Sequence, residues 1–406
     1  MSLSRGFVRV TSVLTIALLG AVSWGATVIA QATPTAGAAE QYTPVLQSVP
    51  SPPRWFEGSD GRVHLVYELF LANAFPVPVS VTTVEVLDAG SEATIATLEG
   101  AALTAAMSTL TAPATPTTEL SPSTLGVVWF DLPFAGPDDL PAAVAHRITT
   151  TVPPELPVPG SIAFIGDAVD VDLRPPVVLG PPLLGPGWAG VGSCCDGPHR
   201  RAYQPINGGP YLAQRFAIDF NRLDAEDRLV AGDPSLNESY PSFGQPVIAV
   251  ADGTVVAAVD QFPDQVPNAP TGVTLESANG NHVIIDLGDG RYAFYAHLRA
   301  GSVTVRAGDV VRRGDGLGAL GNSGSSTGPH LHFHVMSAPS ALVADGMPYV
   351  FDEFDLVGET PPIPELIALS ENGTPVPLDT VETGPRLDAL PLGRTVVDFP
   401  DHPAEE

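Results

Sequence analysis

Three imidazoles stand at alternate positions in the run Pro329-His330-Leu331-His332-Phe333-His334-Val335. Strict alternation of polar and apolar residues marks a strand whose successive side chains point to opposite faces. Leu331, Phe333 and Val335 then share a core face, and the three histidines share the other. Neutral imidazole is the commonest metal ligand and titrates nearest to neutral pH, so the pattern points to metal or proton chemistry. The chain holds nine histidines, and a third of them fall within these five positions. A solvated strand face would not need such a concentration. On a strand, residues two apart lie about 6.6–6.8 Å from each other, so one ion takes at most two of the three. Strand geometry alone leaves open which.

Hydrolytic zinc uses three protein ligands, typically His and carboxylate, and keeps a position free for water. Asp219 with His332 supplies two ligands, and His297 with His330 forms a second pair suited to moving protons. A third ligand must come from near His199 or Arg215. Cys194 and Cys195, the only cysteines, are adjacent. They can pair with each other in an oxidising compartment, serve as metal thiolates beside His199, or form a small local structural element.

The elements that must position these groups read as β-strands. His64–Leu71, Val79–Leu87, Ala93–Leu98, Gly126–Leu132 and His146–Val152 are short apolar or alternating runs separated by Pro, Gly, Asn and Asp. That spacing predicts an antiparallel, immunoglobulin-like sandwich over residues 54–173. His64 and His146 are isolated in it and read as structural or surface residues. Proline and glycine punctuate 174–192, where the domain boundary is placed. Beyond it, Arg215–Phe220 reads as a strand, and Gln245–Val250 and Thr254–Val259 read as a hairpin on Asp252-Gly253. His282–Leu287 and Arg291–His297 form a second hairpin through Gly288-Asp289-Gly290. No sustained helical period appears, so the fold class is all-β. Residues 358–406, rich in Pro, Glu and Asp, read as an acidic, partly disordered tail.

The chain has 406 residues and a formal charge of −27, and every basic residue is arginine. Such a chain has no basic stripe for phosphates, which makes it a poor partner for nucleic acid or anionic lipid. Residues 1–32 read as a signal peptide: Arg5 and Arg9, an apolar run from Val10 to Val22, and Ala30-Gln31-Ala32 as a cleavage site. The apolar stretch approaches spanning length, so an uncleaved anchor is the alternative. Either way the working part lies outside the cytoplasm, secreted or at the cell envelope. Residues 33–53 read as a linker.

Several motifs in order carry a family resemblance. Ser325-Ser326-Thr327-Gly328-Pro329-His330-Leu331-His332-Phe333 is preceded by Tyr295-Ala296-His297-Leu298 and by Pro246–Gly253, with Val305–Asp315 between. Together they resemble the lysostaphin/LytM family of bacterial zinc metalloendopeptidases, which cut peptides of peptidoglycan. The resemblance covers about Gly185 to Phe354, and it implies a small antiparallel β-sheet peptidase domain over 185–357. It also implies Asp219 and His332 as zinc ligands, His297 and His330 as the catalytic pair, and peptidoglycan peptides as the partner. One position departs from the pattern. The family's first ligand lies in a His-x-x-x-Asp motif, and four residues before Asp219 this chain has Arg215. A guanidinium has no lone pair to offer. His199 is the nearest upstream candidate to replace the missing ligand. The alternative is a degenerate domain that binds peptidoglycan or regulates another wall hydrolase without cleaving. His334, where the family often has an acid, reads as supporting the site from behind or as a surface residue.

Overall fold

In the computed structural model, which describes residues 40–402 apart from 155 and 196, strands dominate and two short helices interrupt them. The expected signal segment, 1–32, and residues 33–39 of the expected linker lie outside the described residues. Among the described residues, no helix is long and apolar enough to cross a membrane.

The N-terminal part holds two six-stranded sheets. In the first, Val63–Asn73 lies between Val45–Ser48 and Leu125–Phe134, with Arg54–Glu57 also paired to it. In the second, Val79–Asp88 pairs with Ala143–Thr151 and Thr94–Glu99. Alternating apolar residues explain why the two sheets meet. Leu65, Tyr67, Leu69 and Leu71 of one and Val79, Val81, Val84 and Val86 of the other are buried in a single core. The linker expectation fails at Val45–Ser48, because Val45 is fully buried in that core and draws its strand into the sheet.

The C-terminal part is built on one twelve-stranded sheet. At its centre Leu331–Met336 pairs antiparallel with Ile218–Arg222 on one side and Tyr292–Leu298 on the other. Leu331, Phe333 and Val335 enter the core as their spacing predicts, but the histidine face is buried too. The second expected hairpin forms: Asn281–Asp286 pairs with Tyr292–Leu298. Gly288, Asp289 and Gly290 all take positive φ in its turn, a conformation open mainly to Gly and Asp. The first does not form. Pro246–Ile248 pairs with Gly316–Ala319, while Gly253–Val259 pairs with Asn281–Asp286. Backbone bonds from Gly180 to Val250 and from Gly314 to Ala249 divert the chain between them.

Residues 358–402 are not a loose tail. Gly384–Ala389 pairs with Tyr349–Glu359, and Thr395–Asp398 lies between Tyr349–Glu359 and Trp188–Val191. Pro362 and Pro364 open a helix over Ile363–Glu371 whose Leu366 is buried. Proline is suited to a first turn, where backbone N–H groups lack partners anyway. Phe56 and Val66 of the first sheet share a core with the C-terminal strands, and residues from 43 onward pack as one unit.

Candidate functional site

Sheet register makes the first contact. Asp219 and His332 are directly opposed on adjacent strands, and Ala296 faces His332 from the other side. Directly opposed residues hold their Cβ atoms about 4.5–5.5 Å apart. His332 Nδ1 lies 2.8 Å from Asp219 Oδ1. The third group arrives from a loop. His199 opens a short 3-10 turn, His199–Arg201, and its Nε2 lies 3.3 Å from Asp219 Oδ2. Its Nδ1 donates to the Gly192 carbonyl at 3.1 Å, which turns Nε2 toward the carboxylate.

One ligating atom each of His199, Asp219 and His332 falls within 4.8 Å of the others. Tetrahedral ligands at about 2.0–2.2 Å stand roughly 3.3–3.6 Å apart, so this donor set fits zinc after small shifts. Two imidazoles and one carboxylate form a donor set that zinc accepts, as do other first-row divalent metals.

His297 and His330 flank this group, with ring centroids 4.8 Å apart. His297 sits where Asn281 pairs with Leu298 but Val283 pairs with Tyr295, a bulge that puts two residues opposite one. Its φ is 62°, unusual for a residue with a side chain, and the bulge turns its ring toward the cleft. Its Nδ1 donates to the Ser323 carbonyl at 2.8 Å, and His330 Nδ1 donates to Gly328 at 2.8 Å. Both rings therefore present Nε2 to the cleft. His334 lies behind the site and not on the surface. It is fully buried, with Nδ1 2.9 Å from His332 Nε2.

The electrostatics follow from burial and from one carboxylate. Burial alone would raise the Asp219 pKa, but His199, His330 and His332 hold it well below the carboxylate range. Burial, then the neighbouring His330 and His332, push His297 well below the usual imidazole value. Burial likewise lowers His332 and, far more, His334. For His199 burial is outweighed by Asp219, and its pKa rises.

Arg215 is elsewhere. Residues 212–217 form a turn, not the expected strand, which begins only at Ile218. The buried Arg215 guanidinium lies 2.9 Å from Glu68 Oε2 and 2.5 Å from Asp345 Oδ1. Cys194 and Cys195 are bonded to each other and are not metal thiolates. Residues that the sequence reading passed over also shape the site. A hollow of about 340 Å³ is lined by His199, Asp219, His297, His330 and His332. A second, of about 260 Å³, shares Asp219, Thr327 and His330 with it and is closed by Tyr240 and by Ile363, Leu366 and Ile367 of the late helix. The i, i+3, i+4 spacing of those three apolar residues was the available signal.

Comparison with known proteins bears on the stretch that carries three of these histidines. The family model described as "Peptidase family M23" matches residues 239–343, a stretch that includes His297, His330 and His332 but neither His199 nor Asp219. This matched stretch is similar to that family, and its motif order is that of the LytM/lysostaphin type. The peptidoglycan DD-endopeptidase ShyA of Vibrio cholerae is 31% identical over 139 residues, which is 34% of this chain and 28% of that protein. An uncharacterized metalloprotease of Haemophilus influenzae is 36% identical over 96 residues, 23% of this chain and 17% of that one. The chain thus spans well under a third of either relative. The solved catalytic domain of lysostaphin from Staphylococcus simulans is 25% identical, with 40% of this chain and 84% of that chain covered and a TM-score of 0.21.

Proposed function

We propose that the protein is an extracytoplasmic zinc metalloendopeptidase that hydrolyses peptide bonds in bacterial peptidoglycan. The observation that carries this reading is the convergence of His199, Asp219 and His332 beside the His297–His330 pair. In this reading His199, Asp219 and His332 hold the metal. Bound zinc supplies a Lewis acid for the scissile carbonyl and a water acidic enough to be deprotonated near neutral pH. His297, kept neutral by burial and by its histidine neighbours, presents Nε2 to accept a proton or steady developing negative charge. His330, anchored through Gly328, presents its own Nε2 on the side of the second hollow. The two hollows give an extended peptide room on both sides of Asp219. Residues 54–173, read as an immunoglobulin-like sandwich, position the peptidase part at 185–357 on the wall.

Arg215 motivates a second reading, a domain that binds peptidoglycan without cutting it. Its engagement by Glu68 and Asp345, away from Asp219, favours the catalytic one. Digestion of purified peptidoglycan by wild type and His330→Ala decides between them. Peptide release by wild type that the variant lacks supports hydrolysis. Intact peptidoglycan from zinc-loaded wild type rejects it.

A further inference from the structure

We propose that Glu68, from the first N-terminal sheet, is a positioning residue for the metal centre: it anchors the turn that carries His199. This rests on the reading of His199 as a ligand. Glu68 is fully buried in the middle of the strand Val63–Asn73 and takes two guanidinium groups. Arg215 Nε lies 3.0 Å from its Oε2, and Arg200 Nε lies 3.4 Å from its Oε1. Tyr203 adds a hydroxyl at 3.2 Å.

Arg200 is the residue after His199, and its remaining donors also grip that sheet. They reach the carbonyls of Tyr67 and Phe130, as well as that of Cys195 in the same loop. Arg201 continues the pattern, bonding the Pro113 carbonyl at 3.0 Å and lying over the Trp129 ring. Strands of the first sheet thus hold both arginines of this turn, while His199 itself meets the Gly192 carbonyl, Asp219 and His332. Asp219 and His332 need no such help, because the central sheet's own register sets them opposite each other. His199 has no strand to fix it. Its place depends on the buried pairing of Arg200, and that pairing depends on Glu68, the only carboxylate that Arg200 meets among the described residues. The same carboxylate engages Arg215, so one acid both seats the ligand-bearing turn and occupies the cation four residues before Asp219. Buried groups that orient metal ligands typically change affinity by about 10–100-fold when removed.

The test is zinc affinity by chelator competition on the full chain, at a temperature where circular dichroism shows every variant folded. Glu68→Gln keeps the shape and removes the charge. It is expected to weaken zinc by about 10–100-fold in the wild-type background, yet by less than about threefold in a His199→Ala background. Zinc affinity equal to wild type, or the same loss in both backgrounds, overturns the proposal, since general loosening would not depend on His199. Arg200→Lys retains the charge and loses the planar fork, and so decides the matter if Glu68→Gln does not fold. It is expected to show the same background-dependent loss, and unchanged affinity counts against the proposal. Failure of the underlying reading looks different: there His199→Ala itself binds zinc as tightly as wild type.

Discussion

Two buried polar clusters grow from the same short stretch of chain, and they are built on opposite plans. Arg200 follows His199 directly, and Arg215 precedes Asp219 by four residues, yet each pair divides between the clusters. In one, Arg200, Arg215 and Arg54 face Glu68, Asp345 and Asp172, so cations and anions balance. In the other, five histidines crowd around a single carboxylate, and three ligating atoms converge within 4.8 Å of one another. The first cluster is closed and holds shape. The second has lone pairs aimed at one point and is fitted to bind. On the reading proposed above, in which a loop-borne ligand stands in for a strand-borne one, the open cluster does the chemistry and the closed one holds the loop.

The comparison is broken most severely by removing a strand-borne ligand. His332→Ala is expected to abolish stoichiometric zinc binding, measured by elemental analysis after dialysis, while the arginine cluster and the fold persist. His297→Ala sharpens the division of labour inside the open cluster. Zinc should remain bound and the rate of peptide release should fall by about 10²–10⁴-fold. Equal metal loss in the two variants would show that the roles are misassigned.

Changes in the closed cluster should register as stability. Arg215→Met leaves a buried carboxylate short of a partner and is expected to cost about 3–5 kcal/mol in urea unfolding, with zinc affinity kept within about threefold because Arg200 stays paired. The smallest effect concerns an imidazole of neither cluster. His146 is buried against Tyr67 and has no carboxylate, and burial lowers its pKa to about 4. Below pH 6.5 the unfolded chain takes up a proton that the native one refuses until about pH 4. Stability should therefore fall by about 3 kcal/mol as pH drops through that window. His146→Gln should flatten that dependence, whereas an unchanged slope would place the proton uptake elsewhere.

Much of the site was readable in the sequence because periodicity carries it. Alternation placed Leu331, Phe333 and Val335 in the core and aligned the histidines, and the Gly-Asp-Gly turn set His297 near them. What escaped were interactions over long sequence separations. Arg215 looked like an intruder because a strand was assumed to run through it, but the turn at 212–217 swings it to Glu68, 147 residues earlier. The signal was there: a lone acid inside an apolar strand needs a buried partner. The late residues 358–398 were missed because their Pro and acidic content hides strands that are stabilised by pairing rather than by their own periodicity.

The central claim is that His199, brought by a loop, completes a metal site that sheet register only begins. Zinc content per chain after exhaustive dialysis, compared between wild type and His199→Ala, tests it most directly. About one zinc retained by wild type and far less by the variant is the predicted result. Equal retention by both would contradict it.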